Sequence, residues 1–482
     1  MRHSERRRGG VHPRPRATIG GIFLAAALLA TGPDLTPGRV VERIVCDGNP
    51  AQSYALYLPR SYSPEKRWPV LYALDAGGRA LVPIERFRDA ADEYGWILVS
   101  SYNTRSDTKG DPNTPAMNAM WNDTTDRLAI DGRRVYATGF SGGGRAAVFL
   151  AYRTPGLIAG VIGCGAGFAD PEMPVKDVPF AYFGTVGNRD FNYYEMRALD
   201  EKLSAAGAPH RIEIFDGGHD WPPPSLAREA IAWMELEAMR SGTKQKKEKE
   251  IAELYRRALE GATRLEADGK RIEAYRFYAG VAEDFRGLSD VSAAAEKAAA
   301  LGRSTSISDF LKDARRRDDR DRFAIQTLTQ KLRRALNSAE LPLAGIVAAD
   351  LGIAGLKKKA ASADSPEERL SAERILANLR VQTSYYLPEQ FVGENDYPRA
   401  RLVLSLAAEI DPEDPRVDYN LASAAARTRH RQRALRDLQR AAEKGFRRFD
   451  LLDEDEDFAS LRGDPEFQKW LARARATASP RP

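Results

Sequence analysis

Residues 135–144, Val-Tyr-Ala-Thr-Gly-Phe-Ser-Gly-Gly-Gly, join an apolar run to a helix-forming run that begins at Arg145. Within this stretch, Gly139, Ser141 and Gly143 satisfy the pattern G-x-S-x-G. In that pattern a serine occupies a strained strand-to-helix turn, and the glycines let neighbouring backbone approach without a Cβ clash. The ordinary alternative is a helix start with a serine cap. The strand before the motif and the helix after it favour the strained turn, so we predict that Ser141 is a nucleophile.

Around this turn, residues 40–240 alternate short apolar runs with helical stretches. Such alternation is typical of a parallel sheet that helices cover on both faces. The first two predicted strands, 41–46 and 53–58, form an antiparallel pair, and the others are 70–74, 96–101, 135–138, 158–164, 180–183 and 211–215. We therefore predict an α/β domain over residues 36–240.

A serine nucleophile needs a general base, and in this architecture the base is a histidine that follows the acid in the chain. Of the five histidines, His219 comes just after the last predicted strand, behind Gly217 and Gly218. A Gly-Gly loop lets an imidazole reach over the sheet edge toward Ser141. We predict that His219 is the base, and a surface-loop histidine is the alternative.

The carboxylate that orients the base is expected in the loop after the penultimate strand. Asp190 lies there, whereas Glu195 and Asp200 fall in the following helix. Asp220 is adjacent to His219, so its carboxylate cannot easily reach the Nδ1 proton of its neighbour. We predict that Asp190 is the acid, with an N-cap of the next helix as its alternative role.

The negative charge that develops on attack needs two backbone N–H donors, one directly after the nucleophile and one in the loop after the third strand. Gly142 is the first predicted donor. The second loop reads Leu-Asp-Ala-Gly-Gly-Arg over residues 74–79, and Ala76 or Gly77 is the predicted second donor. A tight turn alone also explains its glycines.

On these residues, positions 40–240 resemble the α/β-hydrolase superfamily, most like its polyhydroxybutyrate depolymerase and feruloyl-esterase-like branch. The resemblance implies an eight-stranded fold and hydrolysis of carboxylic esters through an acyl-enzyme. It implies Ser141 as nucleophile, Asp190 as orienting acid and His219 as base. Many members of that branch have a His-Gly oxyanion loop, where this chain has Asp75 and Ala76. The acid loop is also longer here, running from Gly184 to Asp190.

The implied fold also bears on the two cysteines. It places Cys46 and Cys164 toward opposite edges of the sheet, farther apart than the roughly 7 Å between Cα atoms that a disulfide tolerates. Both are therefore expected to be buried thiols.

Composition limits the remaining possibilities. The chain has 482 residues, of which 43% are hydrophobic, so about two or three folded units are expected. The net charge of only +5 gives no indication of a nucleic-acid partner. Two cysteines and one candidate catalytic histidine are too few for a cysteine-rich zinc site or a metallohydrolase, so no metal or cofactor is predicted.

The first 35 residues are predicted to be a signal peptide or an N-terminal membrane anchor. Basic residues precede an apolar run at 18–30. As a helix this run is about 20 Å long, shorter than the ~30 Å hydrocarbon core, which favours a cleaved signal. The enzyme is thus expected in the periplasm or secreted, or anchored with its catalytic domain outside the cytoplasm.

The second half of the chain is predicted to be helical. A charged linker, Ser-Gly-Thr-Lys-Gln-Lys-Lys-Glu-Lys-Glu, occupies 241–250, and an Ala-, Leu- and Arg-rich region follows at 251–482. Three pairs of small or apolar residues recur 34 positions apart: Ala400 and Ala434, Leu404 and Leu438, Ala407 and Ala441. This offset resembles a tetratricopeptide repeat, clearest at 385–448. An Ala-rich helical hairpin is the alternative.

Together these features predict an α/β-hydrolase fold with a mostly parallel sheet, followed by an all-α tetratricopeptide-like solenoid. The predicted function is an exported serine hydrolase of small-molecule or polymeric esters, whose repeats recruit a protein partner or the substrate. A serine peptidase of the same fold and an idle hydrolase domain in an interaction scaffold remain open. Residues 36–243 are expected to fold and turn over small esters alone.

Overall fold

An eight-stranded sheet spans residues 40–215 in the computed structural model, which describes residues 35–478 except 107, 109, 170–172 and 174. The strands are β1 Val40–Cys46, β2 Asn49–Tyr57, β3 Trp68–Asp75, β4 Ile97–Ser101, β5 Ile130–Phe140, β6 Gly160–Cys164, β7 Ala181–Gly187 and β8 His210–Phe215. Residues 1–34, which hold nearly all of the predicted signal or anchor, lie outside the described residues. In the described part, no helix is both long and apolar enough to cross a membrane.

The strand order is β1-β2-β4-β3-β5-β6-β7-β8. The β1–β2 and β2–β4 pairs are antiparallel, and all other neighbours are parallel. The predicted mostly parallel sheet and its antiparallel opening pair are confirmed. Strand β2 begins earlier than predicted because its polar first residues continue the hairpin ladder to the Cys46–Asn49 pair, which an apolar pattern cannot reveal.

Five helices lie between or after these strands. They are α1 Leu81–Tyr94, α2 Asn113–Arg127, α3 Gly142–Arg153, α4 Tyr193–Ala206 and α5 Pro224–Arg240. Successive residues of β3 point to opposite faces, so Tyr72 packs with residues of α2, α3 and α4, whereas Leu71 packs with α1 and α5. The sheet is therefore buried on both faces, which explains why its strands are near-continuous apolar runs.

The region after residue 247 is helical. Its α-helices are α6 Glu248–Ala267, α7 Arg271–Asp284, α8 Ser292–Gly302, α9 Thr305–Leu336, α10 Ala344–Asp350, α11 Ile353–Ser362, α12 Pro366–Val381, α13 Leu387–Gly393, α14 Tyr397–Ile410, α15 Pro415–Arg427, α16 Arg431–Glu443, α17 Leu451–Glu454 and α18 Pro465–Ala478. A π-helical turn, Gln382–Tyr386, joins α12 to α13, and a 3₁₀ turn, Glu456–Phe458, follows α17. The predicted all-helical character is confirmed.

The predicted repeat falls on α14, α15 and α16. Helix α14 begins at Tyr397 and α16 begins at Arg431, which matches the 34-residue offset found in the sequence. All six residues of the offset pairs are buried. The next helix of such a repeat is replaced by the short α17 and the 3₁₀ turn. Assignment to the tetratricopeptide class therefore stays a prediction.

The charged linker packs against both halves. Lys244 is only 15% exposed, and its Nζ lies 2.7 Å from Glu235 of α5 and 2.8 Å from Glu250 of α6. Leu236 and Met239 of α5 share an apolar cluster with α6, α7, α8 and α9. The described residues from 35 to 478 group into one compact unit, so a domain boundary at 241–250 stays a prediction from composition.

Candidate active site

The turn at Ser141 is strained, as the motif predicts. Ser141 follows directly on β5 and adopts φ 54° and ψ −123°, outside the regions that non-glycine residues favour. Such a conformation costs on the order of 1–3 kcal/mol and persists only where surrounding structure holds it. Here the Ser141 N–H donates to the carbonyl oxygen of Cys164 at 2.8 Å. The turn thereby presents the serine side chain at the carboxyl end of the sheet.

Two glycines make this turn sterically possible. A Cβ at Gly143 would lie 1.8 Å from the carbonyl oxygen of Leu74, and a Cβ at Gly139 would lie 2.2 Å from the backbone of Gly143. Side chains at these positions would push α3 away from β3 and β5. The glycines of G-x-S-x-G are thus required by close backbone contacts.

The structure brings the three predicted triad residues together. Ser141 Oγ lies 2.9 Å from Nε2 of His219. Nδ1 of the same ring lies 2.9 Å and 3.0 Å from the two carboxylate oxygens of Asp190. With its proton on Nδ1, the imidazole donates to Asp190 and accepts the serine proton at Nε2. This is the arrangement that serine nucleophiles need.

Sheet topology explains why these side chains meet. Ser141 follows β5, Asp190 follows β7, and His219 follows β8. The carboxyl ends of parallel strands lie at one edge of a sheet, where α/β folds place ligands. The Asp190 side chain is fully buried, whereas His219 is 20% exposed. The base can therefore be reached from solvent while its acid is shielded.

The alternative role of Asp190 as a helix cap is partly met. Its Oδ1 accepts a hydrogen bond of 2.8 Å from the backbone N–H of Asn192, directly before α4. The same carboxylate also faces His219, so one side chain supports the start of α4 and orients the imidazole. The two roles that the sequence left open are thus compatible.

The competing carboxylates have other partners. Glu195 pairs with Arg145 at 2.7 Å and accepts the N–H of Gly167. Asp200 lies 3.3 Å from both Arg197 and His210. These contacts hold α4 in place without involving His219.

Asp220 is also turned away from the site. Its side chain is 59% exposed, and it lies 3.8 Å from Arg86. Of the candidate carboxylates, Asp190 is therefore the one that contacts His219.

Two backbone N–H groups fit the predicted oxyanion site. Among the hydrogen bonds of turns and loops in the part of the chain that the structure describes, none is donated by the N–H groups of Gly142 or Ala76. By contrast, the N–H of Gly77 donates to Oδ1 of Asp75 at 2.8 Å. The geometry therefore favours Ala76 over Gly77 as the second donor, because the Gly77 N–H is already used within its own turn.

Asp75 organises the oxyanion loop, a role that sequence reasoning missed. Its buried carboxylate accepts hydrogen bonds from Gly77, from the backbone and guanidinium of Arg79, and from the indole Nε1 of Trp221 at 2.9 Å. Burial acts to raise the pKa of this carboxyl, but the hydrogen bonds outweigh burial and lower the pKa below its ordinary value. Because Trp221 follows His219 by two residues, Asp75 links the oxyanion loop to the histidine loop.

Aromatic rings flank the imidazole. The Phe140 ring lies 4.6 Å from that of His219, and the Phe191 ring lies 4.2 Å from it. Phe140 directly precedes the predicted nucleophile, and Phe191 directly follows the predicted acid. Trp221 is buried against Phe140 and Asp75. These rings restrict the orientation of the base.

Both cysteines are free thiols in the structure, as expected from the resemblance. Burial raises the pKa of Cys164 to about 12. For Cys46, burial and the nearby Asp123 raise the pKa to about 11. Thiols with such pKa values are poor nucleophiles, so Ser141 has no competitor from cysteine.

No protein-family profile and no curated protein matches the sequence. Among solved structures, a ferulic acid esterase is 19% identical, covering 41% of this chain and 97% of that one, with a TM-score of 0.35. The fluorophosphonate-binding serine hydrolase F of Staphylococcus aureus is 15% identical, covering 41% and 98%, with a TM-score of 0.34. The S-formylglutathione hydrolase of the same organism is 16% identical, covering 38% and 90%, with a TM-score of 0.31.

With TM-scores below 0.5 these likenesses carry no argument, and the case for a function rests on the geometry of Ser141, His219 and Asp190. The order of the eight strands, with the strained turn after β5 and the histidine loop after β8, gives this chain the α/β-hydrolase fold, followed by a large helical region.

Proposed function

We propose that the protein is a serine hydrolase that cleaves carboxylic esters through an acyl-enzyme. The observation that carries this proposal is the continuous hydrogen-bonded chain from Ser141 through His219 to Asp190. It is joined by two backbone N–H groups, those of Gly142 and Ala76, in the loops that flank the serine. A nucleophile, a base, an orienting acid and an oxyanion site are the parts that acyl transfer requires.

In the first half-reaction, Ser141 Oγ attacks the ester carbonyl carbon while His219 Nε2 takes its proton. The carbonyl oxygen becomes an oxyanion that accepts hydrogen bonds from Gly142 and Ala76. As the tetrahedral intermediate collapses, the bond to the alcohol oxygen breaks and His219 returns the proton to that oxygen. Asp190 stays ionised and stabilises the imidazolium.

In the second half-reaction, water replaces the alcohol. His219 takes a proton from water as the water oxygen attacks the acyl carbon. The intermediate then collapses, the bond to Ser141 Oγ breaks, and His219 returns the proton to the serine. The products are a carboxylic acid and the free enzyme.

Covalent labelling tests this proposal most directly. A fluorophosphonate probe phosphonylates a serine only where a base activates it, so we expect the wild-type chain to be labelled and Ser141→Ala to remain unlabelled. Ser204→Ala is a matched control, because Ser204 lies at the far end of α4 and contacts His210. Absence of labelling on the wild-type chain, or equal labelling of Ser141→Ala, contradicts the proposal.

Ester and amide cleavage are separated by paired substrates. We propose ester cleavage, so p-nitrophenyl acetate should be hydrolysed and p-nitroacetanilide should not. The same triad attacks amides in peptidases. If the chain is labelled at Ser141 but cleaves only the anilide, the peptidase alternative replaces the esterase proposal.

Export and recruitment rest on the sequence alone. We propose that residues 1–35 direct the chain out of the cytoplasm and that the helices after residue 250 bind a partner or a polymeric substrate. Localisation of the full chain with and without residues 1–35 tests export. If both chains remain in the cytoplasm, that part of the proposal is wrong.

A further inference from the structure

The acid loop and the histidine loop are held together by Asn188. Its backbone N–H donates to the carbonyl oxygen of Phe215 at 2.8 Å, and its side-chain oxygen accepts the N–H of Gly217 at 3.2 Å. Its side-chain amide also donates to Asp216 at 3.0 Å. Asn188 precedes Asp190 by two residues, and Gly217 precedes His219 by two residues. The position of Asn188 therefore bears directly on the distance between the acid and the base.

The outer part of these two loops is joined by hydrogen bonds that water can reach. The Asp216 side chain is 79% exposed, so water competes for its hydrogen bond to Asn188. Gly218 has no neighbouring atom within 4 Å of the place where a Cβ would lie. Loops held mainly by exposed hydrogen bonds are the parts of a fold that open most easily. An additional contact on Asn188 consequently helps to fix the pair.

Arg374, on α12 of the helical region, makes such a contact. Its Nε donates to the backbone carbonyl oxygen of Asn188 at 2.7 Å. Its guanidinium carbon lies 3.8 Å from the ring centroid of Tyr193, the first residue of α4. A guanidinium can donate in its plane and stack with its face at the same time. One side chain therefore holds the segment on both sides of Asp190.

Helix α12 is docked next to this segment by separate contacts. Asp321 of α9 accepts a hydrogen bond of 2.7 Å from Ser371 and one of 2.6 Å from Tyr194. Arg380, nearer the end of α12, pairs with Asp411 at 2.9 Å. The Arg380–Asp411 pair fixes the helix without touching Asn188 or Tyr193, so docking of the helix and restraint of the acid loop can be perturbed separately.

We propose that Arg374 is a positioning residue for the acid–histidine pair, through which the helical region completes the active site of the α/β domain. This inference rests on the proposed esterase function. It gives the helical region a role in catalysis, whereas the sequence alone predicted only recruitment of a partner or substrate. The guanidinium does not touch the reacting atoms, and it acts on them through the Asn188 carbonyl and the Tyr193 ring.

The test compares two substitutions in the full chain, Arg374→Met and Arg374→Lys. Met keeps the length of the stem over the Tyr193 ring but cannot donate to Asn188, whereas Lys keeps a charged donor. A misplacement of about 1 Å at catalytic groups can cost about a hundredfold in rate. We expect kcat for p-nitrophenyl acetate to fall about tenfold to a hundredfold in Arg374→Met with KM within about twofold. Arg374→Lys should recover part of this loss.

Three controls separate positioning from general loosening and from failure of the proposed function. Arg380→Met makes the same change on the same helix, and Tyr194→Phe removes the Asp321 contact, so both should keep kcat within about twofold of wild type. Ser141→Ala should be inactive. If the wild-type chain itself has no activity, both the proposed function and this inference are wrong.

Chemical rescue provides an independent measurement. In Arg374→Ala the side-chain space is empty, and millimolar guanidinium chloride should restore part of kcat without affecting Arg380→Ala. Three results would overturn the inference in an active wild-type enzyme: an unchanged kcat in Arg374→Met, equal losses in the Met and Lys variants, or equal losses in Arg374→Met and Arg380→Met. If Arg374→Ala does not fold, the Met and Lys pair decides.

Discussion

Replacement of Asp75 by Asn tests how the oxyanion loop is held. Asn has the same shape as Asp, and its carbonyl oxygen can still accept from Gly77 and Arg79. Its amide, however, would face the indole N–H of Trp221, which now donates to Oδ2 of Asp75 at 2.9 Å. Two donors would then face each other in a buried place, because Trp221 is only 2% exposed. The substitution therefore breaks the link between the oxyanion loop and the histidine loop.

The size of the effect follows from these contacts. A buried donor left without an acceptor costs about 1–3 kcal/mol. The ion pair to Arg79 adds only about 0–1 kcal/mol, because the Arg79 side chain is 53% exposed and water takes over its hydrogen bonds. We expect a loss of about 1–4 kcal/mol in folding free energy from these two sources. Loss of one oxyanion donor lowers kcat by about 10²–10³-fold. If the Ala76 N–H moves away from the oxyanion, we expect kcat to fall by about a hundredfold.

The pH dependence of this effect has a defined sign. The folded-state pKa of Asp75 is lowered from the ordinary value of 3.8, so its contribution to stability is complete above that pH and is lost as the pH falls through the lowered pKa. The difference in melting temperature between wild type and Asp75→Asn should be full at pH 7. It should shrink when the pH falls below the ordinary value.

The assay is the initial rate of p-nitrophenyl acetate hydrolysis at pH 7. Thermal unfolding is measured at pH 7 and at a pH below the ordinary carboxyl pKa of 3.8. Asp220→Asn is the matched control, since it makes the same chemical change one residue from Trp221 at a side chain that is 59% exposed. That control should stay near wild type in both measurements. Wild-type kcat in folded Asp75→Asn would refute the argument that Asp75 holds the oxyanion loop.

Three further predictions follow from packing. Gly143→Ala should abolish activity and lower stability, because its Cβ would lie 1.8 Å from the Leu74 carbonyl oxygen, whereas Gly132→Ala in the same sheet meets no atom within 4 Å and should be neutral by activity and melting temperature. Cys46 and Cys164 should resist a disulfide reagent at pH 8 in the native protein and both react after unfolding, since burial raises the pKa of each thiol; rapid native reaction of either would contradict this. The fragment 36–243 should be less soluble and less active than the chain from residue 36 onward, in contrast to the expectation from composition, because it exposes the apolar face of α5; equal activity of the two would count against the joint between the two halves.

Local patterns were sufficient to predict the strands and the catalytic turn. The run before Ser141 is apolar because β5 is buried on both faces, and the glycines around it are required by contacts only a few residues away or with the adjacent strand. The positions of His219 and Asp190 could be predicted because each follows a strand whose apolar pattern is visible. Strand ends were less accurate where polar residues continue a ladder, as at the start of β2.

The amino-acid sequence by itself determined the order of the strands along the chain, the strained turn at Ser141 and the side chains that can form a triad, because these depend on periodicity and on residue types at short spacing. Only the tertiary structure decided which N–H groups remain available for an oxyanion, what Asp75 binds and where α12 docks. Asp75 and Trp221 are 146 residues apart, and Asn188 and Arg374 are 186 residues apart. Contacts over such separations depend on how whole elements pack, and no local pattern carries that information.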